Sequence, residues 1–72
     1  MHNIGFKIKK IRELKNFTQV YMASQLDISQ NAYSKIENEA CKLDINRFIE
    51  ISKILNVCPK KIINFDVDQL LN

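Results

Sequence analysis

Seventy-two residues suit one small domain, which at this size buries roughly 60% of the surface its unfolded chain exposes. The 46% apolar content, with eleven isoleucines and four phenylalanines, supplies a core, and a single glycine and a single proline argue against the loop-rich chain of an all-β fold. The net charge of +3 is uneven: Lys7, Lys9, Lys10, Arg12 and Lys15 outweigh Glu13 in residues 1–15, residues 40–61 are also basic, and residues 16–39 and 62–72 are each net acidic. No 18-residue apolar run and no signal-like N-terminus point to a membrane or to secretion, so a cytoplasmic protein is expected.

Ile4, Ile8, Ile11 and Leu14 recur at spacings of four, three and three, which predicts the inner face of a helix over about residues 3–15. Asn16-Phe17 breaks it. Thr18 is a good N-cap for a second helix through Leu26, with Met22, Ala23 and Leu26 inward. Asp27 suits a turn that needs a left-handed backbone, Ile28 plugs inward, and Ser29 caps a third helix to about Glu37 with Tyr33 and Ile36 facing the core. Residues 38–43 form a loop. Asp44 then caps a fourth helix with Ile45, Phe48, Ile49, Ile51 and Leu55 as its apolar positions, and Asn56 ends it. Cys58-Pro59 opens a short fifth helix carrying Ile62, Ile63 and Phe65. Residues 66–72 form a tail that extends the last element, contacts a second subunit or begins a further segment.

The most informative stretch is 18–38: two short helices around a tight turn, the second opening Ser29-Gln30-Asn31 and later presenting Ser34 and Lys35. Glutamine and asparagine offer a donor and an acceptor together, which matches adenine N6 and N7 in the major groove, and each such pair discriminates by about 1–3 kcal/mol. A helix of this kind, second in such a pair, is the one that helix-turn-helix proteins lay in the groove. Any exposed glutamine is more often simply solvated, so the surrounding pattern has to carry the reading.

That pattern resembles the Xre/Cro-type family of phage repressors and bacterial regulators over about residues 4–65. It rests on Ile11-Arg12 ending the first helix, Thr18-Gln19 opening the second, then Met22-Ala23, Leu26, Ile28-Ser29, Ile36-Glu37-Asn38 and Leu55-Asn56-Val57. The resemblance implies an all-α, compact five-helix bundle, lambda-repressor-like, with residues 1–65 as the DNA-binding domain. It implies a sequence-specific transcriptional regulator of duplex DNA, a repressor rather than an activator. Gln19 resembles a glutamine that binds a phosphate and braces Gln30; Gln30 and Asn31 match base-reading positions, with Ser29, Ser34 and Lys35 on the same exposed face. Thr18, Asn38 and Lys42 match positions near phosphates, and Arg12 with Glu37 matches a structural ion pair between the first and third helices. Family members bind as two-fold homodimers, for which Ile62, Ile63, Phe65, Val67, Leu70 and Leu71 are the candidate contacts.

Several positions depart from the family. Glu39 stands where glycine is common, and a carboxylate there is expected to face the DNA side unfavourably. Ala40 and Cys41 replace basic residues, Val20 and Tyr21 replace a polar pair on the outside of the second helix, and Cys58 replaces a serine cap. Val20 and Tyr21 read as surface or as a contact for another chain. Cys41, Cys58 and His2 lack metal-ligand spacing, and no catalytic motif, cofactor motif or small-molecule site is evident, so neither an enzyme nor a metalloprotein is expected. A helix-turn-helix module that binds a protein, as an antitoxin does, remains the other class open to this sequence.

Overall fold

In a computed structural model that describes residues 3–66, five helices follow in chain order: α1 (Ile4–Leu14), α2 (Gln19–Leu26), α3 (Gln30–Glu37), α4 (Ile45–Leu55) and α5 (Pro59–Ile63). Local chemistry sets nearly every boundary. The side chains of Asn3, Thr18, Ser29 and Asp44 accept from the backbone N–H three residues on, at 2.9, 3.0, 3.0 and 2.8 Å, and such caps contribute about 1 kcal/mol each. Cys58 makes no side-chain cap, and Pro59 opens α5 instead. The first four helices are left through residues in the left-handed region: Asn16, Asp27, Glu39 and Asn56, with φ between 56° and 61°. Asn and Asp tolerate that conformation; glutamate does so reluctantly.

α2 and α3 pack closely, α1 bridges α3 and α5, and α4 covers α2 and α5. Ile8, Met22, Tyr33, Ile51, Leu55 and Ile62 are wholly inaccessible at their meeting point. Phe17, Ile28, Leu43, Val57 and Phe65 close the core from the loops. No strand occurs among the described residues.

Three apolar residues sit otherwise than their spacing predicts. Leu14 is 58% exposed and Ile45 66%, with Ile49 beside the latter at the surface. In α1 the buried strip turns toward Gly5 and Arg12, because α1 packs on α3 as well as α5. In α4 the place next to Phe48, Ile51 and Leu55 is taken by Ser52, whose hydroxyl donates to the Ile49 carbonyl at 2.7 Å and so enters the core satisfied. Ile62, a candidate dimer contact, is part of the monomer core. Val67, Leu70 and Leu71 lie outside the described residues.

Gly5 has a role that its spacing did not disclose. A Cβ there would stand 2.5 Å from the Glu37 carbonyl oxygen and 2.6 Å from that of Ile36. Only glycine lets α1 approach the end of α3 so closely.

Candidate nucleic-acid interface

Asp27 reverses the chain between α2 and α3. Its own N–H donates to the Ser24 carbonyl at 3.2 Å and the next N–H, of Ile28, donates to Ala23 at 3.0 Å, which satisfies carbonyls that the end of α2 leaves open. Ile28 then turns into the core and Ser29 starts α3. Arg47, at the start of α4, donates to the Leu26 carbonyl at 3.4 Å and ties α4 to this turn.

The turn leaves α3 with two faces. Tyr33, Ile36 and Glu37 are buried; Gln30, Asn31 and Lys35 are exposed, as are Ser29 and Asn38 at its ends, and Ser34 is half-buried. The buried face contains a charge. Arg12 and Glu37 are 8% and 3% exposed, and the guanidinium grips the carboxylate through Nε at 2.6 Å and Nη2 at 3.2 Å. The remaining arm of Arg12 donates to the Phe17 carbonyl at 2.7 Å. The hydrogen bond to Glu37 raises the Arg12 pKa above its ordinary value, against the opposing effect of burial. A forked pair of this kind is the arrangement that makes a buried charge tolerable.

From that pair an ordered chain of amides reaches the surface. Glu37 Oε1 also accepts from Gln19 Nε2 at 3.0 Å, and Gln19 Oε1 accepts from Gln30 Nε2 at 3.5 Å. Because a carboxylate only accepts, it fixes the Gln19 amide with its nitrogen inward and its oxygen toward Gln30. One N–H of Gln30 is thereby engaged, while its other N–H and its carbonyl oxygen remain for an outside partner.

Tyr33 shares this buried region. Its hydroxyl is enclosed with no hydrogen-bond partner among the described residues, and it lies close enough to Glu37 to feel the charge. Burial, then the neighbouring carboxylate, raises the phenol well above its ordinary range.

The other expected positions are surface groups. The Thr18 hydroxyl is occupied by the Tyr21 N–H, Asn38 Nδ2 lies 3.4 Å from Ser34 Oγ, and Lys35 and Lys42 are exposed with no hydrogen bond or ion pair among the described residues. Glu39 is tied to α1: its Oε2 accepts from the Gly5 N–H at 2.8 Å and adds a cap to that helix. Both cysteines are free, and no cluster of metal-ligating residues occurs among the described residues. No helix is long and apolar enough to cross a membrane among those residues.

A helix pair in which one member shows a polar face beside an exposed turn is the defining unit of helix-turn-helix domains. The helix-turn-helix domain family matches residues 5–65, and the chain belongs to it. Among curated proteins it is similar to the SPbeta prophage-derived uncharacterized HTH-type transcriptional regulator YonR of Bacillus subtilis (strain 168). The two are 32% identical over 73 residues, covering 94% of this chain and 68% of that protein. No solved structure matches the chain.

Proposed function

We propose that the chain is a DNA-binding transcriptional regulator that reads duplex sequence with α3 in the major groove. The observation that carries this reading is the relay from Arg12 through Glu37 and Gln19 to Gln30. A solvated glutamine has no need of a buried support; a glutamine that must meet adenine with one donor and one acceptor gains from being oriented before it binds. Asn31 and Lys35 extend the reading face, with Ser29 and Ser34 at its margins. Gln19, Thr18, Asn38 and Lys42 hold the phosphates on either side. The similarity to a protein named as a transcriptional regulator supports the same role.

Within that role we place the chain with the Xre/Cro-type repressors, acting in the cytoplasm as a two-fold homodimer on half-sites one helical turn apart. Residues 1–65 form the DNA-binding unit in this reading. Of the candidate dimer contacts among the described residues, Ile62 is unavailable, Phe65 is half-buried against the core, and Ile63 is 51% exposed. Ile63 shares a groove with the exposed Ile45, so these two isoleucines are the proposed contact.

Selection from a random duplex library, run with wild type and Gln30→Ala, tests the function. A palindromic consensus that relaxes at one position in each half-site of the variant is expected. A folded wild type that enriches no sequence would overturn the reading. It would favour a protein-binding module, for which the exposed Val20 and Tyr21 on α2 are the natural surface.

A further inference from the structure

The relay from Arg12 to Gln30 is tight at its buried end and slack at its surface end. Its successive links measure 2.6 Å from Arg12 to Glu37, 3.0 Å from Gln19 to Glu37 and 3.5 Å from Gln30 to Gln19. The last is at the outer limit of a hydrogen bond. Closing that outer link while reaching a phosphate draws the half-buried Gln19 amide outward, away from Glu37. The move has a cost inside. Glu37 is 3% exposed, and its Oε1 would keep the Arg12 Nη2 contact at 3.2 Å but lose the shorter one from Gln19. A buried carboxylate deprived of a donor is destabilised.

A second donor lies on the same face. Tyr33 precedes Glu37 by four residues on α3, so the two side chains stand one above the other on the buried side of that helix. Tyr33 is wholly inaccessible, and its hydroxyl has no hydrogen-bond partner among the described residues. It lies close enough to Glu37 to feel the charge. Burying a hydroxyl without a partner is costly, and phenylalanine would fill the space without that cost.

We propose that Tyr33 is a positioning residue of the reading relay: when Gln19 moves outward onto DNA, the Tyr33 hydroxyl donates to Glu37 in its place. The proposal rests on the duplex-DNA reading above. The free protein holds Gln19 on Glu37 and leaves Tyr33 unbonded; the bound protein holds Tyr33 on Glu37 and Gln19 between Gln30 and a phosphate. The exchange keeps the carboxylate on Arg12 in both states, so α3 stays clamped to α1 while its outer amides tighten on the duplex.

The test uses the full chain with Tyr33→Phe, Gln19→Ala and the double variant. Thermal melts without DNA come first, because Gln19→Ala imitates the departure of Gln19. Tyr33→Phe should melt at or above wild type. In the Gln19→Ala background the same substitution should lower the midpoint by about 4–8 °C, the shift that one hydrogen bond produces in a domain of this size. Affinity for a duplex enriched by wild type from a random library is the second readout. Tyr33→Phe should bind it about 3- to 10-fold more weakly than wild type, a loss that a purely structural role would not produce in a variant no less stable. Equal effects of Tyr33→Phe on melting in both backgrounds, or full affinity in Tyr33→Phe, would overturn the proposal while leaving the DNA-binding reading intact. Failure of wild type to bind any duplex would overturn both.

Discussion

Tyr33 carries a hydroxyl into the core without a partner among the described residues, while a buried ion pair beside it is fully connected. The two call for opposite outcomes on deletion. An unsatisfied buried polar group costs about 1–3 kcal/mol, so Tyr33→Phe should match or exceed wild-type stability in urea at neutral pH. Its phenol is raised above the ordinary 10.0 by burial, so the unfolded chain gives up this proton first. The stability linked to Tyr33 is therefore complete below that pH and is lost as pH climbs toward the folded value. Urea melts above pH 10 should show wild type losing stability faster than Tyr33→Phe; parallel losses would contradict the raised phenol. Arg12→Ala and Glu37→Ala should each lose about 3–5 kcal/mol, because each strands a buried charge. Calorimetric melts of both at the wild-type temperature would contradict that role. Gly5→Ala distinguishes propensity from packing. In an open helix alanine gains up to about 1 kcal/mol over glycine, but here its Cβ meets backbone oxygens at 2.5 and 2.6 Å, and a net loss of about 1–3 kcal/mol is expected.

Helix ends were the most legible part of the sequence. Thr18, Ser29, Asp44 and Asn56 do at their own positions what their chemistry dictates, within three residues of themselves. Helix faces were less legible, because spacing tells that a helix has an apolar side but not how that side is divided among neighbours. Leu14, Ile45 and Ile49 lie on the margins that α1 and α4 do not bury, while Gly5 and Ser52, which no apolar count would choose, are inside. Glu39 was legible only as a departure from the family pattern, since its hydrogen-bond partner lies 34 residues away at Gly5. Replacing Glu39 by glycine removes a left-handed backbone strain of roughly 1–2 kcal/mol and a helix cap of about 1 kcal/mol. The two nearly cancel, and Glu39→Gly should melt close to wild type; a loss as large as that of Arg12→Ala would contradict this balance. Of the candidate interface, the reading face of α3 was legible from the run Gln30-Asn31 and the later Ser34 and Lys35. The distances that link Gln30 to a buried charge on α1 were not, because they belong to the packing of three helices.

At the scale of the whole molecule, α1 is the frame that holds the reading helix. It clamps α3 through Arg12 and Gly5 and meets α5 through Lys7, whose ammonium donates to the Ile63 carbonyl at the end of that helix. α5 thereby places Ile63 beside Ile45 at the surface. If two copies meet there, sedimentation at rising concentration should show a dimer for wild type and a monomer for Ile63→Glu at unchanged helicity; a wild type that stays monomeric even on DNA would defeat the dimer. The central claim concerns the inside of one copy: a buried ion pair orients Gln19, and Gln19 orients Gln30 for a base. A double-mutant cycle of Gln19→Ala and Gln30→Ala, read as affinity for the selected duplex, tests it most directly. Residues that act as one network should couple by about 0.5–3 kcal/mol, so the double variant should lose less than the two single losses combined. Strict additivity would mean that Gln19 and Gln30 meet the DNA independently and that the relay does not aim the reading helix.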